Sequence, residues 1–230
     1  MKSDENASDN RVELAVNVSR DELVAGEADR PEPIPSAPLL ARVLERGNLQ
    51  RALKQVCQNQ GAPGIDGMTV DELPDHLRHH WPEIRAQLET GRYWPLPVKR
   101  VEIPKPDGKT RPLGIPTVLD RFIQQAIAQV VSAQWEPHFH PKSHGFRPQR
   151  PAHQAVRQWQ ADLREGYHWV VDLDLEAFFD RVNHDRLMGR LKQQVPDGAL
   201  LSLINRYLKA GVQVGETRHA TPMGIPQGGP

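Results

Sequence analysis

Three aspartates, Asp172, Asp174 and Asp180, fall within nine residues of a stretch that runs into Phe178-Phe179. Tyr167 to Leu175 reads as a strand, with Val170-Val171 apolar and the acids in alternation. Residues i and i+2 share a strand face, so Asp172 and Asp174 would point the same way. Two carboxylates on one half-buried face repel at a cost of several kcal/mol unless a cation or water relieves them. Magnesium prefers carboxylate oxygen, retains water and is commonly shared with substrate phosphates. The pattern therefore suits metal-assisted phosphoryl chemistry. The plainer alternative is a set of surface acids on an exposed strand end.

Two further groups could touch a phosphorylated substrate. Lys105, Lys109 and Arg111 surround the Asp107-Gly108 turn, and a hairpin tip so charged can fold over a triphosphate or simply be solvated. Gly224-Ile-Pro-Gln-Gly-Gly229 combines glycines that allow close backbone approach with Gln227, which both donates and accepts. In isolation that string is equally an ordinary loop.

The elements that must position these groups follow from periodicity. Residues 38–60 read as a helix interrupted near Gly47-Asn48, followed by the turn-rich Gly61-Ala-Pro-Gly64 and Asp66-Gly67. Leu73, Leu77, Trp81, Ile84 and Leu88 outline a second helix, started early or broken by Pro74 and Pro82 and ended at Gly91. Val101 and Ile103, the Asp-Gly turn, and Thr110 to Ile115 form a hairpin that Pro104 and Pro112 place at a sheet edge. Thr117-x-x-Asp120 reads as a capping box. Behind it, Leu119 to Val131 has firm helical spacing. Helices follow over Ala152–Leu163, Leu187–Leu191 and Ala199–Leu208, and Val212 to Ala220 suggests a last hairpin. Strands and helices mix without a βαβ repeat, so the class is α+β.

Composition sets bounds. The 230 residues carry 29 bases and 29 acids, one cysteine and no apolar run long enough to span a membrane. The single Cys57 excludes an internal disulfide, and MKSDENASDN has no apolar signal region, so the expected setting is the reducing cytoplasm. The zero net charge conceals a division. Residues 1–37 hold nine acids against four bases and read as a disordered acidic tail, whereas residues 92–157 hold eleven bases against four acids. Aromatic residues interleave with those bases, as on a nucleic-acid surface.

Taken in order, five segments resemble the bacterial group II intron-encoded reverse transcriptase/maturase family. They are Ala62–Gly67, Ile103–Pro116, Ser143-His-Gly-Phe-Arg-Pro148, Val171–Asp185 and Gly224–Pro230, and the likeness covers about residues 38–230. It implies reverse-transcriptase fingers and a partial palm over 92–230, with a helical finger extension over 38–91 behind the tail. It also implies primer extension with deoxynucleotides on an RNA template, group II intron RNA in particular, by two-magnesium phosphoryl transfer. By the same resemblance Asp174 is the catalytic metal ligand, the Leu175 carbonyl helps hold the nucleotide-bound Mg2+, and Phe179 excludes a 2′-hydroxyl. Lys105 and Arg111 grip the triphosphate, and Gln227 lies near the templating pair. Template RNA would run along Lys99, Arg100, Lys109, Arg121, Lys142, Arg147 and Arg150. Asp172 and Asp180 are read as supporting or salt-bridged, and His144, His153 and His184 as structural.

The pattern breaks in one place. The family requires a Tyr- or Phe-x-Asp-Asp turn, and no Asp-Asp pair occurs in the sequence. The expectation is a truncated chain that does not polymerise DNA by itself and leaves apolar surface uncovered. A non-catalytic intron-RNA-binding fragment, or a retron or diversity-generating reverse transcriptase, are the alternatives.

Overall fold

Thr117 starts the helix around which the molecule is arranged. Its Oγ1 accepts the Asp120 N–H at 3.1 Å, and its hydroxyl donates back to Asp120 Oδ2 at 2.7 Å. The N-cap half of the expected capping box is thus present, while the Asp120 carboxylate accepts the Thr117 hydroxyl in place of the Thr117 N–H. The computed structural model describes residues 37–104, 108 and 110–226. In chain order these form α1 (Leu39–Val43), α2 (Arg46–Asn59), α3 (Leu73–Glu89), β1 (Val98–Pro104), β2 (Thr110–Ile115) and α4 (Val118–Trp135). They continue as α5 (Ala152–Arg164), α6 (His184–Gln194), α7 (Gly198–Leu208), β3 (Val212–Val214) and β4 (Thr217–His219). The acidic segment ahead of Ala37 lies outside the described residues, as do Lys105, Lys109 and Gln227.

The core gathers on one face of α4. Val118, Phe122, Ile123, Ala126, Ile127 and Val130 are buried there and join a hydrophobic cluster with α1, α2, α3 and α7. Trp81 of α3 meets Phe122 edge-on, with ring centroids 5.9 Å apart. α3 runs through Pro82 without breaking. Ile84 and Leu88 are buried just beyond that proline, and their packing offsets the one missing hydrogen bond.

The first helical break falls at Leu44-Glu45, earlier than Gly47-Asn48. Asn48 is buried inside α2, where its amide donates to Val43 O and to Ala126 O, both at 2.9 Å. An asparagine that weakens an isolated helix here ties the end of α1 to α4. Asp197 makes a comparable bridge. Its Oδ1 accepts Leu200 N–H at the start of α7, and its Oδ2 accepts Leu40 N–H at the start of α1. One carboxylate caps two helices.

The sheet order is β2-β1-β3-β4. β1 and β2 are antiparallel, with Arg100 opposite Gly114 and Ile103 opposite Arg111, and β2 occupies the edge where Pro112 is tolerated. β3 joins β1 in parallel through Val98 and Lys99, and β4 closes the far side antiparallel to β3.

The strand expected over Tyr167–Leu175 is absent. Alternation sets which face a strand would bury, but backbone donors and acceptors also need a neighbour. No described strand pairs with this segment, and Trp169, Val171 and Leu173 are all more than four-fifths exposed. Asp172 and Asp174 therefore do not share a strand face in this structure.

Asp120 is the buried polar centre of the fold. Tyr93 and Tyr207 donate to its Oδ1 at 2.7 and 3.2 Å, and Thr117 and the Leu96 N–H donate to its Oδ2 at 2.7 and 3.2 Å. Burial raises its pKa above the ordinary 3.8, although the four hydrogen bonds oppose that rise. Burial, reinforced by the Asp120 charge, likewise raises the phenols of Tyr93 and Tyr207. Because the folded-state pKa is the higher one, the Asp120 contribution is fully present below the unfolded value near 3.8 and declines as pH rises through the folded value. Denaturant titrations of the native chain and Asp120→Asn across pH 3.5–7 are expected to show this. The native chain should lose stability relative to the variant as pH increases. A difference that stays flat or widens in favour of the native chain would show that burial does not govern this carboxyl.

Candidate functional site

Strand alternation divides the finger hairpin into two faces. Lys99, Val101 and Ile103 share one with Arg111, Leu113 and Ile115, and Arg100 and Glu102 share the other with Pro112 and Gly114. The second face meets the end of the described chain. A Cβ on Gly114 would lie 2.8 Å from Pro226 and from Val98, so only glycine lets the 224–226 segment settle against β2.

The same segment is pinned from the other side. Gly224 N–H donates to Val182 O and Ile225 N–H to Phe179 O, both at 2.8 Å. Nε2–H of buried His184 donates to Gly224 O at 2.7 Å. Gly224 has φ +81°, and a Cβ there would stand 2.9 Å from Asp180 O. Asn183 sets the position of His184 by capping α6, its Oδ1 accepting Arg186 N–H at 3.0 Å. Phe179 begins a short 3-10 turn and packs edge-on against Phe178 at 5.5 Å. The structure thus brings together the Phe179 turn, the residues leading to Gln227, and the Arg100–Gly114 face of the hairpin, and it leaves Arg111 on the opposite face.

Asp174 stands apart from that junction. It is exposed, and its Oδ1 accepts the Leu175 N–H at 2.9 Å. Asp172 and Asp180 make no ion pair among the described residues, so the salt-bridged reading of either finds no partner. Nor do three His, Cys, Asp or Glu side chains converge among the described residues as a metal site. The Asp174 carboxylate and Leu175 carbonyl match magnesium in kind but are too few to hold two ions.

The bases read as RNA contacts are engaged to different degrees. Arg147 is only 8% exposed, donates to Glu136 Oε1 at 2.7 Å, and also reaches the His140 and Ser143 carbonyls. Its guanidinium holds a loop closed. Arg121 donates to Gly61 O and Ala62 O, and burial lowers its pKa. It thereby docks the Gly61–Gly67 loop on α4, where Gly64 lies so close to Thr117 that a Cβ would stand 2.6 Å from its Cα. Lys142 pairs with Asp162 at 2.7 Å, Arg100 with Glu102 at 2.8 Å, and Arg150 donates to Pro141 O; each remains solvent-accessible, as does Lys99. Sequence reasoning assigns no role to Gly114, to Asp197 or to the ties of Asp120. It reads His184 as structural without seeing that this ring holds the loop before Gln227, and the neighbouring Asn183 cap is the available signal.

The family model described as reverse transcriptase (RNA-dependent DNA polymerase) matches residues 103–230. The chain belongs to the reverse transcriptase family. Protein YkfC of Escherichia coli K12 is 37% identical over 198 residues, covering 83% of this chain and 52% of the relative. The group II intron-encoded protein LtrA of Lactococcus lactis subsp. cremoris is 36% identical over 179 residues, covering 77% and 30% respectively. The likeness to intron-encoded reverse transcriptases is therefore borne out, and this reverse transcriptase chain spans about half of YkfC and under a third of LtrA. A solved structure, a partial Cas6-RT-Cas1–Cas2 complex, shares the fold with TM-score 0.56 at 23% identity, over 85% of this chain and 32% of that one. No described helix is long and apolar enough to cross a membrane.

Replacing Gly224 by alanine should release this junction. The positive φ and the contact with Asp180 O together make a loss of about 1–3 kcal/mol the expected effect in urea titration. Hydrogen exchange should show the Gly224 and Ile225 amides losing protection while the amides of α4 keep theirs.

Proposed function

We propose that this chain provides the finger and front-palm portion of a group II intron-type RNA-directed DNA polymerase. The observation that carries the proposal is the convergence of the hairpin root, through Gly114, with the Phe179 turn and the Gly224–Pro226 segment, with Arg111 farther out on the same hairpin. Lys105 and Arg111 hold the triphosphate of an incoming deoxynucleotide, Arg111 through bidentate oxygen contacts. Phe179 lies beneath the sugar and leaves no room for a 2′-hydroxyl. Gln227 contacts the nascent base pair from the loop that His184 steadies. Bound magnesium would stabilise charge on the attacking and leaving oxygens, with Asp174 and the Leu175 carbonyl as part of its ligand set. Template RNA follows Lys99, Arg100, Lys109, Lys142 and Arg150, and Arg121 and Arg147 act by fixing the loops beside it. The named intron-encoded relatives favour this type over a retron or diversity-generating enzyme.

A second reading, a non-catalytic intron-RNA-binding fragment, is favoured by one observation. Asp174 is exposed on an irregular segment, with no metal-holding cluster among the described residues. Both readings share RNA binding and differ in chemistry. Fluorescence anisotropy with an RNA-template/DNA-primer duplex should show affinity falling steeply with salt. Lys99→Ala and Arg150→Ala should each reduce the logarithmic salt slope by about one. Absence of salt-dependent binding would remove both readings. Primer extension with magnesium separates them: the isolated chain should extend poorly, because its sequence contains no Asp-Asp pair. Robust extension abolished by Asp174→Ala would make the chain a complete polymerase. Extension that survives the substitution would remove Asp174 from the site.

A further inference from the structure

The loop from Phe139 to Arg150 carries a ring that the fold does not use. Phe146 is fully exposed, and its φ of +56° lies in the left-handed region that a bulky side chain rarely adopts. Gln149, three residues on, has φ +58°. Such a backbone is costly and persists only where its surroundings hold it. Arg147 supplies that hold. Its guanidinium donates five hydrogen bonds, two to Glu136 Oε1 and one each to the carbonyls of Glu136, His140 and Ser143. Arg150 adds a bond to Pro141 O at 3.0 Å. With Arg147 turned inward, Phe146 faces solvent, and no packing gain offsets the strain. The exposed side chains of 167–175 have a local explanation, since no described strand pairs with them. Phe146 has none.

The surroundings favour a nucleic acid over an apolar partner. Residues 136–157 hold four bases and one acid, and that acid, Glu136, is neutralised by Arg147. Lys142 and Arg150, on the same loop, remain solvent-accessible. Phe146 also borders a groove of about 900 Å3, whose lining includes Trp135, Phe139 and the amide residues Gln55, Asn59 and Gln125. Amides both donate and accept, so they suit base edges without selecting among them. Arg147 already covers the Phe139 ring, 5.3 Å from its centroid, which leaves Phe146 as the open ring of the loop. An open ring beside mobile cations is how single strands are held without regard to sequence, bases stacking while the cations follow phosphates. We propose that Phe146 is a stacking platform for an unpaired base of single-stranded RNA. The platform rests on the RNA-binding reading above and adds to it a source of affinity that salt does not screen.

Fluorescence anisotropy of the full chain tests this with two strands, an oligoadenylate of about eight nucleotides and an equally long strand of stable abasic residues. Phe146→Ala should weaken oligoadenylate binding by about tenfold, the scale of one base–aromatic stack. The loss should be the same at every salt concentration, because no phosphate contact is removed and the logarithmic salt slope is unchanged. The native chain should prefer oligoadenylate to the abasic strand, Phe146→Ala should lose that preference, and Phe146→Trp should keep it. Phe146→Gly suits the positive φ, so it should lose affinity as alanine does while its melting temperature stays level or rises. A fall in both affinity and melting temperature for Phe146→Gly would make the ring structural and overturn the proposal. Oligoadenylate binding that is unchanged in Phe146→Ala, while Arg150→Ala lowers the salt slope, overturns the platform and leaves the RNA reading standing. Equal binding of the two strands by the native chain also overturns it and points the ring at an apolar protein partner instead. Absence of salt-dependent binding to either strand removes the platform and the RNA reading together.

Discussion

The carboxylate of Asp120 ties together by directed hydrogen bonds three parts of the chain that also meet in the hydrophobic cluster. It belongs to the first turn of α4, and its four donors come from the α4 cap, from the Tyr93–Leu96 approach to β1, and from α7. A buried charge without a cation is costly, and four neutral donors are what make it tolerable. The consequence is geometric. Leu96 is fixed just before β1, so the root of the finger hairpin is set by α4, and α7 is set against the same point. Removing any one donor would leave part of a buried anion unsatisfied, a greater loss than a single exposed hydrogen bond.

From that fixed root the hairpin reaches the site through close backbone approach. Gly114 admits Pro226, and Gly224 admits the Asp180 carbonyl, so two distant loops are brought into register by the absence of side chains. His184 and the two backbone bonds from 224 and 225 then give the junction direction. Gly64 does similar work against Thr117, where Arg121 secures the neighbouring carbonyls. Much of the basic character of the finger segment is consequently directed at internal oxygen atoms. The charge count over residues 92–157 is a poor guide to which bases are available. Arg147 and Lys142 look alike in sequence; only burial separates them.

What is legible in the sequence is what local physics determines. The Thr117 N-cap, the spacing from Leu119 to Val131, and the paired strands with prolines at their edge each contain their own explanation, and each is present. Asn48 and Pro82 mislead for the opposite reason. Both are unfavourable in an isolated helix, and both are tolerated here because of contacts with residues far away in the chain. The double cap by Asp197 joins positions 157 residues apart, and no pattern near either end announces it.

The Tyr167–Leu175 segment shows where pattern and structure part most widely, and the reason bears on chemistry. Its alternation is that of a strand, yet its apolar side chains are exposed and no described strand pairs with it. In a paired strand Asp172 and Asp174 would be held on one face, and their mutual repulsion would oppose pairing unless a cation entered. Pairing and cation binding would then each favour the other, since the ion relieves the repulsion that ordering creates and ordering supplies the oxygens that the ion needs. Asp174, with only the Leu175 N–H for a partner among the described residues, has neither half of that arrangement. Its proposed catalytic role therefore depends on a neighbouring strand as much as on the carboxylate itself. The Phe179 junction needs no such neighbour, because backbone hydrogen bonds and close glycine contacts have already assembled it.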